Sequence, residues 1–305
     1  MKVIYVTGWG RSGSSILSNI LGQLTGVFSA GEVRYIGERG ILSNRLCGCG
    51  SNFNDCDFWS RVLEEAYGPQ KEKSSLYTIL TNTRIGGSSV FYTLVPFGKR
   101  MLRGIHSEYL IALGKLYAAV SKISGEEIIV DTSKLPVYGY LLRFVPGIDL
   151  HTVHLVRDPR AVAFSWRRKK LLENAGGGIY IDRHSLLKSG LQWSLMNYLS
   201  EKLLAQHGRY TRIKYEDFVL GPETELSGLL KMMEINAGLL PINNGNEVKM
   251  GVHHTVSGNP SRFETGKIRL KLDDEWMTSM KPLQKMLVSI LTFPVAKRYG
   301  YFEEK

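Results

Sequence analysis

The stretch from Val3 to Leu17, VIYVTGWGRSGSSIL, holds residue types and spacings that can grip a phosphate. An apolar, β-branched run breaks at Gly8, Gly10 and Gly13 and passes into a Ser-started helix. Glycines let the backbone approach closely, and the loop N–H groups together with the positive end of the helix can wrap an anion. From Gly8 through Gly13 to Ser14-Ser15 the spacing is that of the nucleotide loop G-x-x-x-x-G-K-[ST], except that Ser14 stands where the lysine belongs. The cation of this loop is Arg11. A cradle lacking the lysine that reaches the β- and γ-phosphates predicts a ligand other than a nucleotide triphosphate.

A second anion site can be read in VHLVRDPRAVAFSWRRKK, Val153 to Lys170. The strand ends at Val156, so Arg157 stands at the carboxyl edge where open α/β sheets take their ligands. Pro159 suits a first helical turn, and Ser165, eight residues after Arg157, would face the same edge. An Arg and a hydroxyl brought together there can clamp a phosphate. The alternative is an ion pair of Arg157 with Asp158 at the strand end, with Arg167 to Lys170 as a solvated face.

Cys47, Cys49 and Cys56 are the only cysteines. Three are too few for a disulfide framework, and neither a Cys-x-x-Cys pair nor a nearby His completes a zinc tetrahedron. The segment therefore reads as a reduced, Gly-containing turn against Phe58 and Trp59. His253-His254 reads as a hydrogen-bonding loop pair rather than as a metal site or a base, and Trp193 with Asn197, at i and i+4, reads as core.

The elements that must position these residues alternate along the chain. Strands are expected at Val3–Val6, Ile128–Val130, Thr152–Val156 and Arg212–Lys214, and helices at Ser14–Thr25, Glu108–Lys122, Pro159–Leu172 and His184–His207. That order predicts an α/β fold: a central parallel sheet flanked by helices on both faces. Residues 68–103, rich in Thr, Ser, Gly and basic side chains and broken at Gly86-Gly87 and Phe97-Gly98, read as an irregular, lid-like insertion. Gly176–Gly178 is a second break. No repeat or linker divides the chain, so residues 1–305 read as one domain.

The chain has 39 basic and 28 acidic residues, a net charge of +11, which favours an anionic ligand or surface without choosing among them. No stretch reaches the roughly 18 consecutive apolar residues of a membrane span. The first strand starts at the first residues, leaving no room for a secretory signal, and a cytoplasmic location is the expectation.

The two phosphate motifs, in this order and about 145 residues apart, resemble those of the sulfotransferases that use 3′-phosphoadenylyl sulfate. Gly10-Arg11-Ser12-Gly13-Ser14-Ser15 is similar to that family's loop for the 5′-phosphosulfate, with Arg in the cation position as in its carbohydrate and tyrosylprotein branches. Arg157, Asp158, Pro159, Arg160 and Ser165 resemble its 3′-phosphate motif. The resemblance extends to Ala30-Gly31-Glu32-Val33-Arg34, where related branches carry a catalytic base, and to Val130-Asp131-Thr132-Ser133-Lys134, whose lysine would point at the phosphosulfate. Tyr215-Glu216-Asp217 is similar to a motif whose tyrosine lies near the adenine. Ser257-Gly258-Asn259-Pro260-Ser261-Arg262-Phe263, with Gly266-Lys267, Asp274 and Trp276, resembles the loop that closes over the nucleotide. The cysteine segment, within residues 44–60, is similar to an insertion of some bacterial members. Taken alone, Glu32 could pair with Arg34 or Arg39, Lys134 could be a surface lysine at a helix start, and Tyr215 could be packing.

The resemblance implies a three-layer phosphate-loop fold and a sulfotransferase. Its sulfuryl group would pass in line from 3′-phosphoadenylyl sulfate to a hydroxyl or amine of a small molecule or carbohydrate, leaving adenosine 3′,5′-bisphosphate. Glu32 would be the general base, best served by a pKa raised toward neutrality. Arg11, Lys134 and the N–H groups from Ser12 to Ser15 would meet the charge on the leaving oxygen. Arg157 and Ser165 would hold the 3′-phosphate, with Tyr215, Ser257, Asn259, Arg262 and Lys267 as further nucleotide contacts. No metal is expected in this scheme. One competing reading is an Mg²⁺-dependent phosphate-loop kinase or other nucleotide phosphotransferase, with Ser15 and Asp131 as its metal ligands. The other is a basic polyanion-binding protein without catalysis, which would need a contiguous basic face. The basic residues are dispersed, so no nucleic-acid partner is expected.

Overall fold

The computed structural model describes residues 1–86, 88–168, 183–206, 209–236, 238–243 and 245–302. Five parallel strands form the central sheet: β1 (Lys2–Thr7), β2 (Val27–Gly31), β3 (Ile128–Lys134), β4 (Asp149–Val156) and β5 (Tyr210–Lys214). Their order is β2-β3-β1-β4-β5. A separate antiparallel sheet holds β6 (Ile242–Asn243), β7 (Glu247–Met250) and β8 (Gly266–Arg269).

The helices are α1 (Ser14–Leu21), α2 (Asp57–Tyr67), α3 (Ser75–Asn82), α4 (Ser88–Leu94), α5 (Gly98–Ile105), α6 (Ser107–Ser124) and α7 (Pro136–Leu142). They continue as α8 (Pro159–Arg167), α9 (Leu186–Leu204), α10 (Tyr215–Leu220), α11 (Pro222–Met232), α12 (Trp276–Ser279) and α13 (Pro282–Arg298). None of the described helices is long and apolar enough to cross a membrane.

The three layers follow from the period of two in the central strand. Val3 and Tyr5 of β1 pack into a core with α2, α6, α7 and α9, while Ile4 and Val6 pack into another with α1, α10 and α11. Both faces of β1 are fully buried, which is why its sequence is a continuous apolar run rather than an alternation.

The register aligns the carboxyl ends of the strands. Thr7 of β1 pairs with Lys134 of β3 on one side and His154 of β4 on the other; Gly31 of β2 pairs with Asp131; Val156 of β4 pairs with Lys214. The segments that begin at Gly8, Glu32, Lys134, Arg157 and Tyr215 therefore leave the sheet along one edge. The chain runs toward β3 and β2 on one side of β1 and toward β4 and β5 on the other, so that edge carries a topological switch point.

The parallel α/β reading holds, with differences in detail. β2 was not expected: its sequence VFSAG carries little β-branched signal, and only pairing with β3 makes it a strand. The first helix ends at Leu21 rather than Thr25: beyond it Gln23 N and Leu24 N turn to the carbonyls three residues back, at 3.0 and 3.1 Å, and Gly22 abuts Ser29 and His253, where an added Cβ would lie 2.7 Å from the serine Cβ and 3.0 Å from the imidazole. The described residues of 68–103 are largely helical rather than irregular. They form α3, α4 and α5, and Leu80, Ile85, Val90 and Leu102 join the larger core. Helices of seven or eight residues are shorter than the window in which helical periodicity can be read. The expected break at Gly176–Gly178 lies outside the described residues. The cysteine segment forms a tight turn closed by a Leu46–Asn52 bridge, followed by α2.

Candidate functional site

The loop after β1 is shaped by what its side chains cannot occupy. A Cβ on Gly8 (φ 128°) would lie 2.4 Å from the Leu155 carbonyl oxygen, and one on Gly10 would lie 2.7 Å from the Trp166 ring. Gly13 (φ 89°) sits against the Tyr215 ring, 2.5 Å from where its Cβ would be. Ser12 is buried and turns its hydroxyl back to the Trp9 carbonyl at 2.8 Å. The first N–H groups of α1 have no intrahelical acceptor. Arg11, itself left-handed at φ 70°, lays its guanidinium over Trp166 at 5.0 Å. Gly13→Ala should destabilise the chain by about 1–3 kcal/mol and abolish nucleotide binding, read by thermal unfolding and titration. Unchanged affinity would contradict the cradle.

Beside the loop, Glu32 follows the end of β2 and is 7% exposed. Its Oε1 accepts a short hydrogen bond from Lys134 Nζ, and its Oε2 pairs with Arg39 at 3.3 Å. Arg39 also donates to Ser257 Oγ at 2.9 Å and stacks on Tyr35 at 3.5 Å. Lys134 reaches Glu32 because its backbone turns left-handed (φ 64°) at the end of β3. Asp131 builds that turn: its carboxylate accepts Ser133 N at 2.8 Å, Ser133 Oγ at 2.5 Å and Tyr117 OH at 2.5 Å. Burial raises the Asp131 carboxyl to about 6. With these bonds made in a fully buried site, Asp131 is not placed as the acidic metal ligand that the kinase reading needed.

Glu32 departs from expectation in its acidity. Burial alone would raise its pKa, but Lys134, Arg39 and Arg34 outweigh burial and hold it below the ordinary glutamate value. The resting carboxylate is ionised and paired rather than poised near neutrality. Because a general base works deprotonated, a lowered pKa moves the acid limb of a rate profile downward. The limb that Glu32 itself contributes to kcat/KM for the nucleotide donor, which reports the free enzyme, should therefore lie below the ordinary glutamate range, apart from any step of Asp131 near pH 6. An acid limb between pH 6 and 7 that persists in Asp131→Asn would contradict the network.

At the end of β4, Arg157 is 6% exposed and lies over the Tyr215 ring at 4.4 Å. It donates to the Arg11 carbonyl at 3.1 Å and to the Asp273 carbonyl at 2.8 Å, and it pairs with the Asp273 carboxylate at 3.1 Å. Its Nε is buried without a hydrogen-bond acceptor among the described residues. The ion pair with Asp158 considered above does not form. Asp158 caps α8 through Arg160 N and pairs with the Arg160 side chain at 2.6 Å, so its geometry is spent within its own helix. Trp193 Nε1 donates to the Arg157 carbonyl at 3.0 Å, tying the strand end to α9. Ser165, 6% exposed, sits on α8.

The loop after β7 folds onto the cradle. Asn259 N donates to Ser15 Oγ at 3.2 Å, and Val256 N donates to the Ala30 carbonyl at 3.0 Å. Gly31 (φ 76°) meets this loop so closely that its Cβ would lie 2.9 Å from the Ser257 carbonyl oxygen. Arg262, expected to touch nucleotide, instead donates to the carbonyls of Thr255 and Leu46 at 3.3 and 2.6 Å, and burial lowers it to about 10. It braces the loop from beneath. Lys267 stands exposed on β8 against Glu247 at 3.5 Å and is not among the residues brought together.

Arg11, Ser12–Ser15, Glu32, Lys134, Arg157, Tyr215, Ser257 and Asn259 thus converge on one edge. The pairing of Glu32 with Arg39, one of the two that the sequence allowed, does form, its offset set by a π-helical turn, Ile36–Leu42. The sequence reading missed Asp273, having singled out Asp274. Asp273 bridges Arg157 and Arg168, the latter at 3.0 Å. The two histidines part company: His253 Nε2 meets the Gln23 amide at 2.6 Å, while His254 turns to the cysteines.

Residues 4–237 match the model of the family described as "Sulfotransferase family". In fold, the chain resembles the "Sulfotransferase Domain from the Curacin Biosynthetic Pathway" at 15% identity, over 99% of each chain, with a TM-score of 0.56. It also resembles the "Sulfotransferase Domain from the Synechococcus PCC 7002 Olefin Synthase" at 17% identity, over 100% of this chain and 96% of the other, with a TM-score of 0.54. Among curated proteins, none matches the sequence.

Proposed function

The chain belongs to the sulfotransferase family, and from its site we propose that it transfers a sulfuryl group from 3′-phosphoadenylyl sulfate to a hydroxyl or amine of a small molecule or carbohydrate. One observation carries the choice of donor. A buried arginine, Arg157, lies next to the phosphate loop, bonded to the Arg11 carbonyl, with its Nε unused. A second cationic group bonded directly to the phosphate loop supports a nucleotide with two separate phosphates. The bound donor supplies an activated sulfuryl group whose leaving oxygen belongs to a phosphate.

The residues divide the work. Backbone N–H groups at Ser12 to Ser15 and the Arg11 guanidinium receive the 5′ group. Arg157, with the Ser165 hydroxyl, receives the 3′-phosphate, and Asp273 gives up its share of Arg157 as it does so. Glu32 takes the acceptor's proton, at Oε1 once Lys134 lets go of that oxygen. Moving the ammonium off Glu32 removes the largest of the cationic influences that hold its pKa down, so the base strengthens as Lys134 turns to the growing negative charge. Arg39 keeps Oε2 oriented throughout.

The test is release of adenosine 3′,5′-bisphosphate from the donor with phenolic and sugar acceptors, without added divalent cation. Acceptor-dependent release supports the reading. Transfer from ATP that requires Mg²⁺, with no release from the sulfuryl donor, would overturn it.

A further inference from the structure

Away from the nucleotide edge, Cys47, Cys49, Cys56 and His254 bring three sulfurs and one imidazole nitrogen within 4.8 Å of one another. We propose that these four side chains bind a structural zinc ion as a closed Cys₃His site. The spacing is that of a tetrahedron's edges. Zn–S bonds of about 2.3 Å and a Zn–N bond of about 2.0–2.1 Å require sulfurs about 3.8 Å apart and a nitrogen about 3.5 Å from each. The sulfur of Cys56 lies 3.6 Å from that of Cys47 and 3.8 Å from that of Cys49, and His254 Nδ1 lies 3.3 Å from Cys56 and 3.8 Å from Cys47. All three cysteines are free thiols, and the sulfur separations are far beyond the roughly 2.05 Å of a disulfide.

The surroundings hold each ligand as a zinc site needs. Cys47 and Cys49 stand on a tight turn in which Cys47 N donates to the Ser51 carbonyl at 2.8 Å and Gly50 N returns to the Cys47 carbonyl at 2.9 Å. Gly50 takes the left-handed conformation, φ 92°, that the turn requires. Gly48 N donates to the Thr255 carbonyl at 3.0 Å, and a Cβ at Gly48 would lie 2.5 Å from the His253 carbonyl oxygen. Only glycine lets the turn come this close to the chain that carries His254. Cys56 occupies the N-cap of α2, so the start of the helix fixes its place. The His254 ring stacks on Phe58 at 4.9 Å, and its carbonyl accepts from Trp59 Nε1 at 2.8 Å. Three thiolates and a neutral imidazole around Zn²⁺ leave one negative charge, and the Arg262 guanidinium, bonded to the carbonyl of Leu46, lies beside it to balance it.

Four protein ligands leave no open position, so the ion has no part in the chemistry. Its role is to join two segments some two hundred residues apart in sequence. His254 precedes Val256, which bonds to the end of β2, and Ser257, which bonds to Arg39 beside Glu32. The zinc site thereby anchors the root of the loop that covers the cradle.

Metal analysis of the purified chain should give one zinc per molecule, released when a mercurial blocks the thiols. The Co²⁺-substituted chain should show thiolate-to-cobalt charge transfer and intense tetrahedral d–d absorption. Cys49→Ser, at the least buried of the three, should weaken Zn²⁺ binding at least about 100-fold, whereas His254→Cys should keep one zinc in a four-thiolate site. A folded wild-type chain that carries no zinc and takes up none from Zn²⁺-containing buffer, with three thiols titrating freely, would overturn the proposal. So would a Cys49→Ser variant with undiminished Zn²⁺ affinity.

Discussion

Glu32→Gln should bind adenosine 3′,5′-bisphosphate within about threefold of the unaltered chain while losing about 10²–10⁴-fold in kcat. The amide keeps the size of the side chain, and its one oxygen can still accept from Lys134 or from Arg39, while its NH₂ group, a donor, leaves the other cation without that acceptor. What it cannot do is take a proton. The loss should therefore fall on kcat, with little change in KM for the donor, the signature of an interaction that matters only in the transition state. A kcat within a few-fold of the original would remove Glu32 as the base. A loss of nucleotide affinity equal to the loss of turnover would make it instead a structural partner of Lys134.

Arg157→Ala should weaken adenosine 3′,5′-bisphosphate by about 30–150-fold, the equivalent of about 2–3 kcal/mol for charge-assisted bonds to a buried phosphate. Binding of adenosine 5′-monophosphate should change no more than about threefold. The comparison matters because Arg157 also donates to the Arg11 carbonyl. If its main service were to brace the loop, both nucleotides would weaken together, and the 3′-phosphate clamp would be refuted. Arg157→Lys should fall between, since a lysine restores the charge without the planar fork.

Much of the site could be read from sequence because its strongest signals are contiguous. A strand, a turn and a helix follow one another within Val3 to Leu17 and again from Val153 through α8, so each segment proposed to bind phosphate is fixed by local order. The parallel alignment that sets the two side by side then follows from the α/β alternation. Glu32 and Lys134 rested on resemblance, and the structure brings them together through strand pairing that no single segment encodes.

What escaped has physical causes of its own. The pKa of Glu32 depends on cations from three elements, and only one, Arg34, is its near neighbour in sequence. Asp273 lies in a loop and Arg262 in a 3₁₀ turn of four residues, Pro260–Phe263, too short for periodicity to fix its direction, so one proved to be a partner of Arg157 and the other a brace of the backbone. The helices between residues 71 and 105 are too short to register as periodic. His254 is 198 residues from Cys56, a separation at which spacing carries no information about contact; the cysteine turn could be matched to its histidine only by the folded chain.

The central claim is that the phosphate loop and Arg157 together hold a nucleotide with phosphates at both ends of its ribose. Calorimetric titration of the unaltered chain with adenosine 3′,5′-bisphosphate, with ATP, and with ATP plus Mg²⁺ tests it most directly. The bisphosphate should bind tightest, with the same affinity whether or not Mg²⁺ is present. Tighter binding of ATP that appears only with Mg²⁺ would contradict it.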